Sequence, residues 1–217
     1  MIAQNATWSS WLAAHEGKIN YLPEYGQQKK TDQEIEIDNK FIKAITDLGY
    51  TKEKGSEIFS GKGWTFLRQG DLESAMLRFN QSWLLDSTNV NALWGYGAIL
   101  GKLQNPTEAI KYLNRAYSYD SNTIRLLIDI SASHLVRYNI EKNTSDLDQG
   151  LSTLLRYLEK DGENEEALYK TAIFYFHMED YKSSWEYIHK CEEVGGGPIK
   201  KRFIKSLKKK MRKPKAK

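Results

Sequence analysis

The chain has 217 residues, of which 28% are charged and 12% aromatic. That length and that content of apolar side chains are enough to bury a core, which excludes a largely disordered protein. The net charge of +4 is unevenly distributed, because 11 of the 32 lysines and arginines, and no acidic residue, lie in 200–217. The sequence is therefore an acidic body followed by a basic tail, and the two are expected to have different partners.

Targeting and redox features narrow the class of protein only a little. Cys191 is the single cysteine, so no disulfide can form within the chain. No apolar run is long enough to span a bilayer, and the first residues lack the basic and apolar regions of a signal peptide. We therefore expect no intact signal peptide, and a cytoplasmic protein and a mature exported protein both fit the sequence.

Residues 1–55 are predicted to form an aromatic arm followed by one helix. The arm, residues 1–30, holds tryptophans and tyrosines among glycines and a proline: Trp8, Trp11, Tyr21 and Tyr25. Thr31 and Asp32 then predict a helix start, because a threonine side chain can accept a hydrogen bond from the first turn. Apolar residues at helical spacing continue to about Leu48, and Gly49 predicts the end of the helix.

From 56 to 198 the sequence repeats with a period of 34 residues. Seven positions of the first unit recur in the second, where Gly63, Phe66, Asp71, Ala75, Phe79, Ser82 and Asp86 correspond to Gly97, Leu100, Asn105, Ala109, Leu113, Ala116 and Asp120. This period predicts helix pairs that must stack, because one pair alone cannot bury its apolar face. The predicted units are 56–89, 90–123, 124–164 and 165–198; the third holds about seven additional residues, for which 138–144 is the candidate insertion.

Small side chains recur where the two helices of each pair are predicted to cross. They are Gly63, Gly97, Ser131 and Ala172 on the first helices, and Ala75, Ala109, Gly150 and Ser184 on the second helices. Close approach of two helices needs a small side chain at the crossing. After the fourth unit, residues 199–217 are predicted to begin with a capping helix, because Phe203, Ile204 and Leu207 share one face of this basic segment.

This pattern resembles the tetratricopeptide repeat (TPR) family, whose 34-residue unit has small side chains at three fixed positions. In the first unit these are Gly63, Ala75 and Ser82, whereas Ser87 stands where the family has a proline. The resemblance implies an all-α fold, a right-handed α–α superhelix of about four helix pairs with an N-terminal helix and a C-terminal capping helix. The chain also resembles small bacterial members, many of them exported, which favours a periplasmic or exported location, with the cytoplasm as the alternative.

The resemblance further implies a non-catalytic scaffold or adaptor that binds a protein or peptide segment in a concave, aromatic groove. The first helix of each pair would line it, with Trp64, Arg68, Asn91, Trp94, Lys102, Ile128, Asp129, Tyr169, Lys170, Phe176 and His177. Large aromatic side chains are favoured anchors in binding sites. Gly61, Gly95 and Gly101 are expected to widen this groove, and its ligand is either an unidentified protein segment or the chain's own residues 1–30.

The alternative function rests on the basic tail, which could bind nucleic acid or an anionic membrane surface through its lysines. Nucleic acid is the less expected partner, because the apolar face of the tail predicts a capping role. No phosphate-binding loop, metal-ligand spacing or nucleophile motif is present, so we expect no enzyme activity, no metal and no cofactor. His134 and Cys191 occupy packing positions of the repeat and are expected to be buried.

Overall fold

The computed structural model describes residues 6–214, which form eleven α-helices and two short 3₁₀ turns but no strand. In chain order these elements are α1 (Trp8–Ala14), the 3₁₀ turns Ile19–Tyr21 and Pro23–Gln27, α2 (Asp32–Asp47), α3 (Lys52–Gln69), α4 (Leu72–Leu85), α5 (Val90–Lys102), α6 (Pro106–Tyr119), α7 (Arg125–Glu141), α8 (Ser145–Leu158), α9 (Glu165–His177), α10 (Tyr181–Glu193) and α11 (Lys201–Lys210). The chain divides into two compact structural units, with the boundary between Thr123 and Ile124. Below, the first unit and the second unit are these two parts of the structure, and each 34-residue sequence unit is called a repeat. Across the range that the structure describes, no helix is long and apolar enough to cross a membrane.

Consecutive helices pack as pairs in both units. In the first unit α3 packs against α4 and α5 against α6, and in the second α7 packs against α8 and α9 against α10. Polar side chains begin most of these helices; for example, Asp71 accepts a hydrogen bond from the N–H of Ser74. The eight small residues predicted at the helix crossings are all buried. The prediction of an all-α, TPR-like array of helix pairs is confirmed.

The ring of Phe79 joins the first helix pair to the second. Phe79 lies on α4 and is fully buried. A Cβ atom built on Gly63 of α3 would lie 2.5 Å from its Cε1, and one built on Gly95 of α5 would lie 2.3 Å from its Cζ. The sequence predicted that Gly95 widens a groove, and this prediction is wrong. Gly95 makes room for a ring of the preceding pair. Gly61 and Gly101, by contrast, have open space where a Cβ would lie.

Two helices are longer than the repeat pattern predicts. α3 begins at Lys52 with Thr51 as its cap, so the predicted repeat boundary at residue 56 falls inside this helix. The sequence did not indicate this start, because the first turn has no apolar stripe. The turn is nevertheless packed, since Gly55 lies close to Ile45 of α2. In the third pair, α7 has 17 residues where α5 has 13. The additional residues of the third repeat therefore extend α7 and form the turn before α8.

A buried ionic cluster joins α7 to α8. The Asp146 carboxylate lies 2.8 Å from His134 Nδ1 and accepts hydrogen bonds from the Arg137 guanidinium. The bonds from Arg137 and His134 keep the pKa of Asp146 below its ordinary value despite burial. Burial lowers the pKa of His134, and the hydrogen bond to Asp146 offsets only part of this effect. His134 is thus buried, as predicted, but it also takes part in a polar contact that the repeat pattern does not contain.

The C-terminal helix α11 covers the apolar end of the last pair, as predicted. Leu207 is fully buried in a cluster that includes Trp185 and Ile188 of α10. The Trp185 indole donates a hydrogen bond to the Met211 carbonyl at 3.1 Å, which holds the end of α11 in place. Cys191 lies in the same cluster, and burial raises the pKa of its thiol. The thiol is therefore held in its protonated, unreactive form.

We expect Gly95→Ala to destabilise the protein, because the added methyl group would overlap the Phe79 ring. Overpacking of this kind costs about 1–3 kcal/mol. Gly101→Ala on the same helix is the matched control, and it should leave stability unchanged or raise it by up to about 1 kcal/mol, since alanine favours helix and the site is open. Urea unfolding followed by circular dichroism measures both changes. Equal stabilities for the two variants would contradict the packing described for Phe79.

Acidification should destabilise the second unit. Burial lowers the pKa values of both His134 and His177, so the folded state favours the neutral rings while the unfolded chain takes up protons near pH 6.5. The free energy of unfolding should therefore fall as the pH is lowered from 7 to 5. Unfolding curves at the two pH values should differ less for the double variant His134→Gln, His177→Gln. An unchanged pH dependence in that variant would show that other groups are responsible.

Candidate functional site

Two tryptophans meet on neighbouring helices of the first unit. The rings of Trp64 on α3 and Trp94 on α5 have centroids 5.3 Å apart and cross at 75°, an edge-to-face contact. Trp64 also packs on Phe79, at 5.7 Å. Both tryptophans are half-buried, so each has a packing role and still presents part of its ring to solvent. The sequence predicts both tryptophans as groove residues, and the structure shows that they also pack against each other.

Open space and positive charge flank the tryptophan pair. Gly61 lies one turn before Trp64, and Gly101 lies two turns after Trp94; neither has a neighbour where a side chain would begin. Arg68 and Lys102 are exposed in the last turns of α3 and α5. These two helices pack against each other. The surface formed by Gly61, Trp64, Arg68, Asn91, Trp94, Gly101 and Lys102 is called the α3–α5 face below.

The predicted groove residues of the second unit are mostly engaged within that unit. Ile128 is fully buried. Tyr169 is 6% exposed, because its ring packs against Phe203 of α11 at 5.5 Å, and its hydroxyl accepts a hydrogen bond from the Lys200 N–H at 3.4 Å. Neither side chain offers a surface to a ligand, so both are left out of the proposed site. The sequence could not reveal this, since the capping helix that covers Tyr169 has no repeat pattern.

Four further predicted residues of the second unit are half-buried. Phe176 packs against Phe203 at 5.4 Å, and His177 packs against Tyr138 at 5.5 Å. Lys170 lies 3.7 Å from the Glu166 carboxylate, and Ser133 donates a hydrogen bond to the backbone carbonyl of Asp129. The α3–α5 face is therefore the part of the predicted groove that combines aromatic surface with open space.

The N-terminal arm occupies a different surface of the first unit. The structure describes residues 6–30 of the predicted arm, whereas residues 1–5 lie outside the described range; residues 6–27, up to the end of the second 3₁₀ turn, are called the arm below. The arm contacts α4 and the end of α5, since its 3₁₀ turns pack on α4 and the N–H of Trp8 donates to the Leu103 carbonyl at 2.6 Å. It reaches α6 through an ion pair between Glu24 and Arg115. The sequence allowed residues 1–30 to fill the groove formed by the first helices; the structure instead places the arm on the second helices, α4 and α6.

Comparisons with known proteins bear on the fold. A scan against protein-family models and a search of curated proteins find no match. A solved structure described as the crystal structure of MamA protein is 18% identical, with a TM-score of 0.59 over 72% of this chain and 80% of that chain. Another, MamA RS-1 ArsTM double mutant, is 15% identical, with a TM-score of 0.56 over 76% of this chain and 96% of that chain. YrrB, described as a TPR protein with an unusual peptide-binding site, is 20% identical with a TM-score of 0.44, over 76% of this chain and 97% of that chain.

The chain has a TPR-like fold. At these identities the likeness to MamA is one of fold, and it agrees with the 34-residue period and with the observed helix pairs.

In this TPR-like array, Asn80 of α4 is the residue that fixes the backbone of the arm. Its side-chain amide donates to the carbonyls of Asn20 and Leu22, at 2.8 and 2.9 Å. Its carbonyl oxygen accepts a hydrogen bond from the Tyr96 hydroxyl at 2.7 Å. The side chain is 1% exposed. The repeat pattern does not single out Asn80. The residue at the equivalent position of the next repeat, Asn114, is also an asparagine, and it is exposed.

The arm is strained where it meets α6. Glu24, Tyr25 and Gln27 have φ angles of 54°, 56° and 54°, in the left-handed region that side chains other than glycine avoid. Such a conformation costs about 1–2 kcal/mol per residue. It persists because Glu24 is held by Arg115 and Tyr25 is buried beside Trp83, with ring centroids 6.3 Å apart. The sequence contains no pattern that predicts this turn, since only Gly26 among the four residues favours it.

Proposed function

We propose that the protein is a non-catalytic scaffold that binds a protein or peptide segment on its α3–α5 face. The observation that supports this most is the pair Trp64 and Trp94, half-exposed and in contact at 5.3 Å, on helices that also carry Gly61 and Gly101, where an added Cβ would meet open space. Rigid aromatic anchors next to empty surface are typical of binding hot spots. The pair is held in place by Phe79, so it costs little conformational entropy to bind on it.

The charges beside the tryptophans define the class of ligand. Arg68 and Lys102 are both exposed, and the Arg68 guanidinium has one side-chain bond, to Thr65 at 3.3 Å. A ligand carboxylate would gain charge-assisted hydrogen bonds from these groups. The ligand that fits is therefore a segment in which an aromatic or aliphatic side chain, seated beside the tryptophans, is followed by an acidic residue. TPR-like arrays suit such ligands, because consecutive helices offer pockets at regular spacing.

Filling the open space should abolish binding without unfolding the protein. The probe is an array of 12-residue peptides in which one tryptophan or leucine is followed by glutamate at varied spacing. We expect wild-type protein to select a subset of these peptides, and Gly101→Trp to lose them, because its indole would occupy the proposed pocket. Arg68→Glu should weaken binding by roughly tenfold or more, the effect expected for a charge-assisted contact.

Lys52→Glu is the matched control for Arg68→Glu, since it makes the same charge change at the opposite end of α3, where Lys52 is exposed. It should bind the selected peptides like the wild type. The proposal fails if Gly101→Trp still binds them with an unchanged helical spectrum.

The basic tail supports a second candidate function, binding to nucleic acid or to an anionic membrane surface. Six cationic side chains of α11 are exposed, whereas Leu207 is buried against the last pair: Lys201, Arg202, Lys205, Lys208, Lys209 and Lys210. Cations on the outer face of a helix are free to approach phosphates. The tail's residues 215–217 lie outside the described range.

If the tail has this function, duplex DNA or vesicles containing phosphatidylserine should bind the protein, and binding should weaken steeply with added salt. Reversing Lys205, Lys208 and Lys209 to glutamate should abolish that binding. An unaltered affinity, or no binding by the wild type at low salt, would dispose of this function.

A further inference from the structure

The arm covers the α4–α6 side of the first unit. The residues of this side are Glu73, Asn80 and Trp83 of the first pair and Tyr112 and Arg115 of the second; together they are called the arm site. This site is distinct from the α3–α5 face, because it is built from the second helix of each pair. The inference below therefore goes beyond the proposed function and does not depend on it.

The arm is attached as a bound peptide is attached. It has one helix of 7 residues and two 3₁₀ turns, too little regular structure to fold alone. The arm site binds the backbone of the arm through Asn80, whose side-chain amide donates to the carbonyls of Asn20 and Leu22. A side-chain amide that binds the main chain of an irregular segment fixes register without needing a helix or a strand in the ligand.

The side chains that the arm site buries define a short recognition motif. Pro23, Glu24 and Tyr25 are all buried, and Glu24 is 3% exposed. A buried carboxylate needs a partner, and the Arg115 guanidinium supplies it. Tyr25 packs beside Trp83, and the Lys30 ammonium lies 3.3 Å from the centroid of its ring. Arg115 itself is about one third exposed, so this end of the arm site can be reached from solvent.

Earlier residues of the arm add a second anchor. Within the arm, the Trp11 ring is 2% exposed and its indole N–H donates to the Tyr21 carbonyl at 2.8 Å, so these contacts hold the arm itself together. His15 lies 3.1 Å from the Glu73 carboxylate of α4. Between the arm and α6, a cleft of about 280 Å³ lined by Leu12, Leu22 and Tyr112, among others, is left unfilled. The contact is thus specific at its two anchors and loosely packed between them.

The connection from the arm to the rest of the unit permits release. Gln28 and Lys29 are exposed, and α2, which follows, has no fully buried residue. The positive φ angles at Glu24, Tyr25 and Gln27 are supported by the docked contacts as well as by a bond from Gln27 to Glu24, so undocking removes part of what stabilises this strained turn. A segment that is bound by two anchors and is strained at one of them is a candidate for exchange with a better ligand.

We infer that the arm site is a peptide-binding site that the chain's own arm occupies in cis. Its ligand in trans is an irregular segment with the chemistry of the arm, an apolar residue and proline followed by glutamate and tyrosine. Such a ligand binds when it displaces the arm, so docking of the arm sets the affinity of the site. The arm of a second copy of the chain is one segment that meets this description.

The test uses the full chain and a fluorescent peptide of residues 6–30 as the probe. In the arm-weakened protein, Glu24→Gln and Tyr25→Ala remove the motif from the chain's own arm but leave the arm site intact. We expect it to bind the peptide at least about tenfold more tightly than the wild type, because a larger fraction of its sites is free. Adding Arg115→Gln should abolish this gain, whereas adding Asn114→Ala, an exposed residue on the same helix, should preserve it.

Three results would overturn the inference. The first is equal peptide binding by wild-type and arm-weakened protein, which would mean that the arm does not compete. The second is no peptide binding by the arm-weakened protein when its helical spectrum is intact. The third is loss of the helical spectrum in that protein, which would make the arm an integral part of the core. None of these results bears on the α3–α5 face, whose variants carry an intact arm.

Discussion

The packing of one ring, that of Phe79, between Gly63 and Gly95 determines how the first two helix pairs fit together. Because neither glycine has a side chain, α4 reaches both α3 and α5 through the same ring. This brings α3 and α5 close enough for Trp64 and Trp94 to meet at 5.3 Å. A close contact of the same kind occurs in the second unit, where a Cβ on Gly150 would lie 2.4 Å from Phe174 of the next pair. The proposed binding face is thus a consequence of core packing rather than an addition to it.

The two surfaces of the first unit have different relations to that core. The α3–α5 face uses residues of the first helices, held from behind by Phe79, and it is open. The arm site uses residues of the second helices, and it is covered by a segment with no repeat pattern. Asn80 and Asn114 show most directly that the arm covers only part of the surface formed by the second helices, since both are asparagines and they lie one 34-residue period apart. One is buried by the arm and makes three hydrogen bonds, and the other is exposed.

The 34-residue period was enough to predict the helix pairs, because each crossing needs a small side chain at the same position of every repeat. It could not predict which surfaces are covered. Tyr169 is at a groove position by its register, yet α11 buries it; Gly95 is at a groove position too, yet it receives the ring of Phe79. The left-handed turn at Glu24 and Tyr25 was equally out of reach, because it results from docking on Arg115 and Trp83 and not from local preference. Repeat patterns encode contacts between repeats, and the arm and the cap lie outside the repeat.

The central claim is that the geometry of the tryptophan pair depends on the space at Gly95. Two tryptophans in close contact give an exciton couplet in the far-ultraviolet circular dichroism spectrum, and its amplitude depends on their distance and angle. Difference spectra against Trp94→Phe isolate this couplet. We predict that Gly95→Ala reduces or inverts the couplet while Gly101→Ala leaves it intact. A couplet of unchanged amplitude in a folded Gly95→Ala protein would contradict the account.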